Sequence, residues 1–121
     1  MINQVVWFDV PVVDLDRAIA FYSAVLDQAV EKEDYDNFSI GVLPHKNPGN
    51  GGCLAVMTGI KPSSEGVLIY LNVNGRLDAA IDAAKNNGGE ILQGKHGIGP
   101  YGFRAIILDS EGNRIALHSE A

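Results

Sequence analysis

The strongest constraint on this chain is that it states one pattern twice. Leu15, Ala18, Ile19, Tyr22, Val25 and Leu26 form one stripe of an amphipathic helix, with Asp16, Arg17, Ser23 and Ala24 facing away and Asp14 placed to cap it. Leu77, Ala80, Ile81 and Ala84 repeat the first four of those positions at an offset of 62 residues (15 to 77, 19 to 81), and Gly88-Gly89 stops this second helix. Strands repeat as well. Trp7–Val10 matches Leu68–Leu71 at an offset of 61 (7 to 68), Phe38–Leu43 matches Phe103–Leu108 at 65 (38 to 103), and Leu54–Met57 matches Ile115–His118 at 61 (54 to 115). With weaker strands near Val30–Glu33 and Glu90–Gln93, each half reads as strand, helix and three strands. The pattern predicts modules at 1–58 and 66–121, joined by a Gly/Pro/Ser-rich linker at 59–65.

Each helix needs a sheet face to cover its stripe. Strand alternation assigns Phe8, Val10 and Val12, and then Val67, Ile69, Leu71 and Val73, to the helix side. The opposite faces carry Trp7 and Asp9 in one half and Leu68, Tyr70 and Asn72 in the other. Repeat position adds Cys53, Ala55, Met57, Arg114, Ala116 and His118 to this inner face. So mixed a set suits a cavity wall better than a packed core.

Composition narrows the function classes. A chain of 121 residues is one compact domain, able to build a core without disulfides. Its one cysteine, Cys53, excludes an internal disulfide and a zinc-thiolate cluster, which points to a reducing, cytoplasmic setting. The first residues lack the basic-then-apolar order of a signal peptide, and no apolar run approaches the ~20 residues that span a bilayer. A net charge of −6 without a Lys/Arg cluster argues against nucleic acid. What remains is a soluble globular protein, with neither nucleic acid nor a membrane as its expected partner.

The run Phe8-Asp9-Val10-Pro11-Val12-Val13-Asp14-Leu15 through Phe21-Tyr22-Ser23-Ala24-Val25-Leu26 resembles the opening of the vicinal oxygen chelate superfamily, which includes glyoxalase I, extradiol dioxygenases and the fosfomycin and bleomycin resistance proteins. Asp109-Ser110-Glu111-Gly112-Asn113-Arg114-Ile115-Ala116-Leu117 resembles its closing hairpin. The resemblance spans the chain. It implies an α+β fold of two tandem βαβββ modules in a half-open, cupped barrel, commonly a homodimer. Catalytic members hold a divalent metal with His, Gln or Glu on the first and last strands of each module, positions that the resemblance places at Trp7, Ala55, Leu68 and Ala116. None of these side chains offers the oxygen or imidazole donors such a metal needs, so no metal or other cofactor is expected. The expectation is a small-organic-molecule binder, with a metal-independent lyase- or isomerase-like enzyme, a drug-sequestering protein or a dimerisation module as alternatives.

The candidate ligand-binding residues are Trp7, Asp9, Met57, Tyr70, Asn72, Arg104 and His118, and Asp9, Tyr70 and His118 are the candidates for acid–base work. Each has a plainer role open to it. Trp7 can stack on a ligand or plug the space a metal would fill; Asp9 can act as a base or pair with Arg114; His118 can titrate near neutrality or sit exposed near the C-terminus; Arg104 can line the cavity or be solvated. Cys53 reads as a small core residue. His45 and His96 fall in glycine-rich stretches, 44–52 and 94–102, read as rims of the cavity.

Overall fold

The computed structural model describes residues 3–46 and 49–121, so Met1 and Ile2, and Asn47 and Pro48 of the first rim, lie outside the described residues. The elements run β1 (Trp7–Pro11), α1 (Leu15–Leu26), β2 (Glu31–Asp34), β3 (Ser39–Val42), β4 (Gly51–Ala55), β5 (Ile69–Asn72), α2 (Leu77–Asn86), β6 (Glu90–Gly97), β7 (Phe103–Leu108) and β8 (Arg114–Ser119), with a short 3₁₀ turn at Gly99–Tyr101. They form two four-stranded sheets, ordered β1-β4-β3-β2 and β5-β8-β7-β6. In each, the first strand runs parallel to the last and the others pair antiparallel. This is the duplicated arrangement that the repeat predicts, with no strand pairing between the sheets among the described residues.

Both halves share one core. Helices α1 and α2 pack on each other, and Val10, Val12 and Leu54 of the first half join Leu71, Ile107, Ile115 and Leu117 of the second in a single apolar cluster. The buried face of α1 is rotated from the expected stripe: Phe21 is fully buried while Leu15 and Ile19 are only half-buried. The reason is that α1 meets a helix as well as a sheet. Val67 departs further, being 86% exposed, because β5 begins only at Ile69.

The ladders also correct the repeat alignment. Val12 N–H bonds the Ala55 carbonyl and Val73 N–H bonds that of His118, so Ala55 corresponds to His118 and Cys53 to Ala116, an offset of 63 (55 to 118) in place of 61. Ile40 pairs with Ala55 as Arg104 pairs with His118, which makes the third-strand offset 64 (40 to 104) in place of 65. The first change preserves which face each residue occupies. The second decides between the two faces open to Arg104 and sets it on the inner one, beside His118.

The turn at Asp109–Asn113 fastens the end of the chain to its beginning. Asp109 is buried; its Oδ1 accepts the N–H groups of Glu111 and Asn113 at 2.8 Å, and its Oδ2 accepts the Tyr22 hydroxyl at 2.5 Å and Asn113 Nδ2 at 3.0 Å. Burial first, and then the charge and hydrogen bond of Asp109, push the Tyr22 hydroxyl well above the ordinary tyrosine value, so it stays a donor. Asn113 also donates to the Pro11 carbonyl at 2.7 Å and accepts the Ser63 N–H at 3.1 Å. Glu111, whose side chain has no exposed surface, accepts the N–H groups of Val13 and Asp14 at 2.8 Å and Arg17 Nε at 2.7 Å. A carboxylate from the second half thus sits against the positive N-terminal end of α1.

Burial would raise the Glu111 carboxyl, but the hydrogen bonds from Arg17, from the Asp14 and Val13 backbone and from Ser110 outweigh it and hold the group at about 2, against an ordinary 4.5. Its contribution to stability is therefore complete above about pH 4.5 and is lost as the pH falls from there toward 2. Glu111→Gln is expected to lower unfolding free energy by about 2–3 kcal/mol at neutral pH. In urea melts the gap to the unmodified chain should close as the pH approaches 2; a gap independent of pH would refute this account.

Candidate functional site

The inner face of the second sheet gathers most of the polar residues that the sequence singles out. Ladder pairing sets His96 on β6, Arg104 on β7, His118 on β8 and Asn72 on β5 in one row across four strands. The next row holds Ile106, Ala116 and Tyr70. A cleft of ≈ 460 Å³ opens over this face, lined by Tyr70, Ile98, Tyr101, Arg104 and His118. That volume suits a small organic ligand.

Arg104 is held from two sides. Its Nε donates to His96 Nε2 at 2.9 Å and its Nη1 donates to the Tyr70 hydroxyl oxygen at 2.5 Å. The line from Arg104 to Tyr70 crosses β8 between His118 and Ala116, where only a methyl group stands in the way. His96 Nδ1 lies 2.8 Å from the Gly94 carbonyl, so Nδ1 carries the proton and Nε2 presents its lone pair to the guanidinium. His118 uses the other nitrogen as donor, its Nε2 lying 2.6 Å from the Tyr101 carbonyl. That carbonyl is placed by Gly102, whose φ of 99° and close approach to the Ser119 carbonyl leave no room for a side chain.

His96 corrects the sequence reading, because it is a strand residue orienting Arg104 and not part of a loop rim. The alternation of Lys95, His96 and Gly97 carried no strand signal among so many glycines. What could have exposed its role is the antiparallel pairing of His96 with Arg104, which depends on two register shifts along β6.

Other candidates lie elsewhere. Trp7, 42% exposed, meets the His45 ring edge-on at 5.7 Å on the first sheet. Asp9 accepts a hydrogen bond from Cys53 Sγ at 3.2 Å and lines a smaller slot of ≈ 220 Å³ with Lys61, Glu65 and Arg114. Met57 is half-buried beyond the end of β4, where it bridges to Ile60. Asn72 caps its own turn by accepting the Asn74 N–H at 2.8 Å and lines a third hollow. Within one chain, then, Tyr70, Arg104 and His118 come together, whereas Trp7, Asp9 and Met57 do not line their cleft.

The metal-ligand positions of the resemblance need one revision. By register the partner of Ala116 is Cys53 and not Ala55. Burial, followed by the Asp9 hydrogen bond, pushes the Cys53 thiol up to about 11, and as one sulfur among an indole, an isobutyl and a methyl group it makes no ligand set. Trp7, Cys53, Leu68 and Ala116 do not fit a divalent metal, and among the described residues no three His, Cys, Asp or Glu side chains converge on a common point.

The model of the Glyoxalase/Bleomycin resistance protein/Dioxygenase superfamily matches residues 2–117. The chain belongs to this superfamily. Solved structures agree on the fold: a glyoxalase/bleomycin resistance protein from Albidiferax ferrireducens T118 superposes with a TM-score of 0.75 at 17% identity, covering 98% of this chain and 100% of that one. A glyoxalase-related enzyme from Fulvimarina pelagi gives 0.72 at 13% identity over 98% and 88%. The E144Q mutant of glyoxalase I from Zea mays gives 0.72 at 23% identity, covering 94% of this chain but 46% of the maize protein. No curated protein matches the sequence significantly. No helix among the described residues is long and apolar enough to cross a membrane.

The hydrogen-bond partners fix two opposite ring tautomers. Long-range ¹⁵N–¹H spectra of the neutral rings are expected to find His96 protonated on Nδ1 and His118 on Nε2. Finding His96 protonated on Nε2 would break the Arg104 contact as described.

Proposed function

We propose that this superfamily member binds a small organic molecule on the inner face of its second sheet, without a metal. The observation that carries the reading is Arg104, a cation fixed by His96 and Tyr70 at the wall of a cleft of ≈ 460 Å³ whose other walls are aromatic or apolar. Such a cleft combines area for burial with one oriented polar group, the usual composition of a ligand site. The chain's net charge of −6 gives no guide to the ligand here, since the charge lining the cleft is positive.

A homodimer completes the proposal. Trp7 on the first sheet and Tyr70 and Tyr101 on the second are large aromatics left exposed in the single chain, Tyr101 by 73%. Set against the cleft of a second copy, the first-sheet face would bring Trp7 and Met57 over Tyr70, Arg104 and His118, while Asp9 stays in its own slot beside Lys61 and Arg114. Trp7 and Met57 of one chain would then border a cavity with Tyr70, Arg104 and His118 of the other.

A fragment panel of mixed charge, followed by NMR of the Tyr70, Tyr101 and His118 side chains, tests the binding reading. At least one class should shift these signals, and Arg104→Ala should weaken its binding at least tenfold. A panel that moves none of them refutes the site. Light scattering should give the mass of two chains, and Trp7→Glu should halve it.

A further inference from the structure

We infer that the cleft takes a planar organic monocarboxylate, with its carboxylate on the Arg104 guanidinium and an aromatic or conjugated body against Tyr70, Tyr101 and Ile98. The inference rests on the binding reading above and adds the ligand's charge and shape.

Charge comes first. Arg104 is the one cationic side chain among the five that line the cleft, and no carboxylate is among them. The side-chain ion pairs among the described residues, Arg17–Glu111 and Lys32–Asp16, do not include it. Glu120 lines an adjoining hollow that shares Tyr101 and His118 with the cleft but not Arg104, and Lys95 is engaged over the Phe103 ring at 5.0 Å. In a chain with 15 acidic residues, an arginine fastened by a histidine and a tyrosine, with no acid paired to it among the described residues, lacks an anion. One cation matches a monoanion; a phosphate dianion calls for a second.

Geometry selects the carboxylate. A guanidinium has five N–H donors, and His96 and Tyr70 each take one, leaving three. Nη2 and the remaining Nη1 hydrogen form the fork that a carboxylate meets with two parallel bonds. Because Tyr70 already accepts from Arg104, its own hydroxyl proton is available to the same carboxylate. His96 and Tyr70 prevent the fork from rotating away, so little side-chain freedom is lost on binding. The walls then favour a flat body: the Tyr70 and His118 rings stand 6.3 Å apart at 60°, Tyr101 offers an exposed ring and Ile98 an apolar side.

The test is a titration of the intact chain with sodium benzoate, benzamide, benzylamine and phenyl phosphate, read by the Tyr70, Tyr101 and His118 signals. Benzoate is expected to bind at least tenfold tighter than each of the other three. Arg104→Gln should bring benzoate and benzamide to within about twofold, with backbone signals elsewhere unmoved; Arg104→Lys, which keeps the charge and loses the fork, should restore only part of the preference. Benzamide or benzylamine binding as tightly as benzoate would overturn the carboxylate assignment while leaving the binding site standing. Tighter phenyl phosphate would overturn the monoanion. If none of the four moves these signals while other fragments do, the ligand class falls alone; if no compound does, the site falls with it.

Discussion

The fold depends on Asp109 and its turn. A duplicated chain has to hold two half-cores in register, and apolar contact between helices is too indifferent to orientation to do this alone. Asp109, Glu111 and Asn113 supply direction: within five residues they satisfy the Tyr22 hydroxyl, the free N–H groups at the start of α1, the end of β1 and the backbone at Ser63. Hydrogen bonds to buried charged groups contribute more than neutral ones and cost more to break. The two motifs at opposite ends of the sequence are one structural unit.

That dependence explains what was legible in the sequence. Helices, strand order and the two sheets followed from apolar spacing, because the helix side must be apolar wherever it meets the shared core, as at Val10, Leu54, Leu71 and Leu117. Register was less accessible. Periodicity fixes which face a residue takes only if the alignment is right, and an offset wrong by one at β7 left Arg104 between two faces until the Arg104–His118 pairing settled it. Phe21 escaped because the stripe was drawn for a helix on a sheet, and α1 also packs on α2.

The site was half legible for a related reason. Tyr70 and His118 could be set on the inner face by parity, but Arg104 needed its ladder partner, and His96 sits on an edge strand whose pairing is irregular, where glycines hid it. Trp7, Asp9 and Met57 satisfied the same parity argument and still lie on another sheet. Parity assigns a residue to a face; it does not say which two faces meet.

The corrected alignment bears on how such a site arises. Tyr70 corresponds to Asp9, Arg104 to Ile40, Ala116 to Cys53 and His118 to Ala55, so none of the second sheet's tyrosine, arginine and histidine recurs at the matching place in the first. On the helix side the matched pairs stay apolar, Val10 with Leu71 and Val12 with Val73, because both serve the same core. Positions facing that core are constrained by packing at close to crystal density, where even one methylene is felt. Inner-face positions carry no such burden. There the two copies differ at each of these places, and the fixed positive charge stands beside Ala116, where the superfamily resemblance calls for a His, Gln or Glu ligand. A guanidinium locked by a histidine and a tyrosine can orient an anion, as a metal can, but by directed hydrogen bonds in place of an open coordination position.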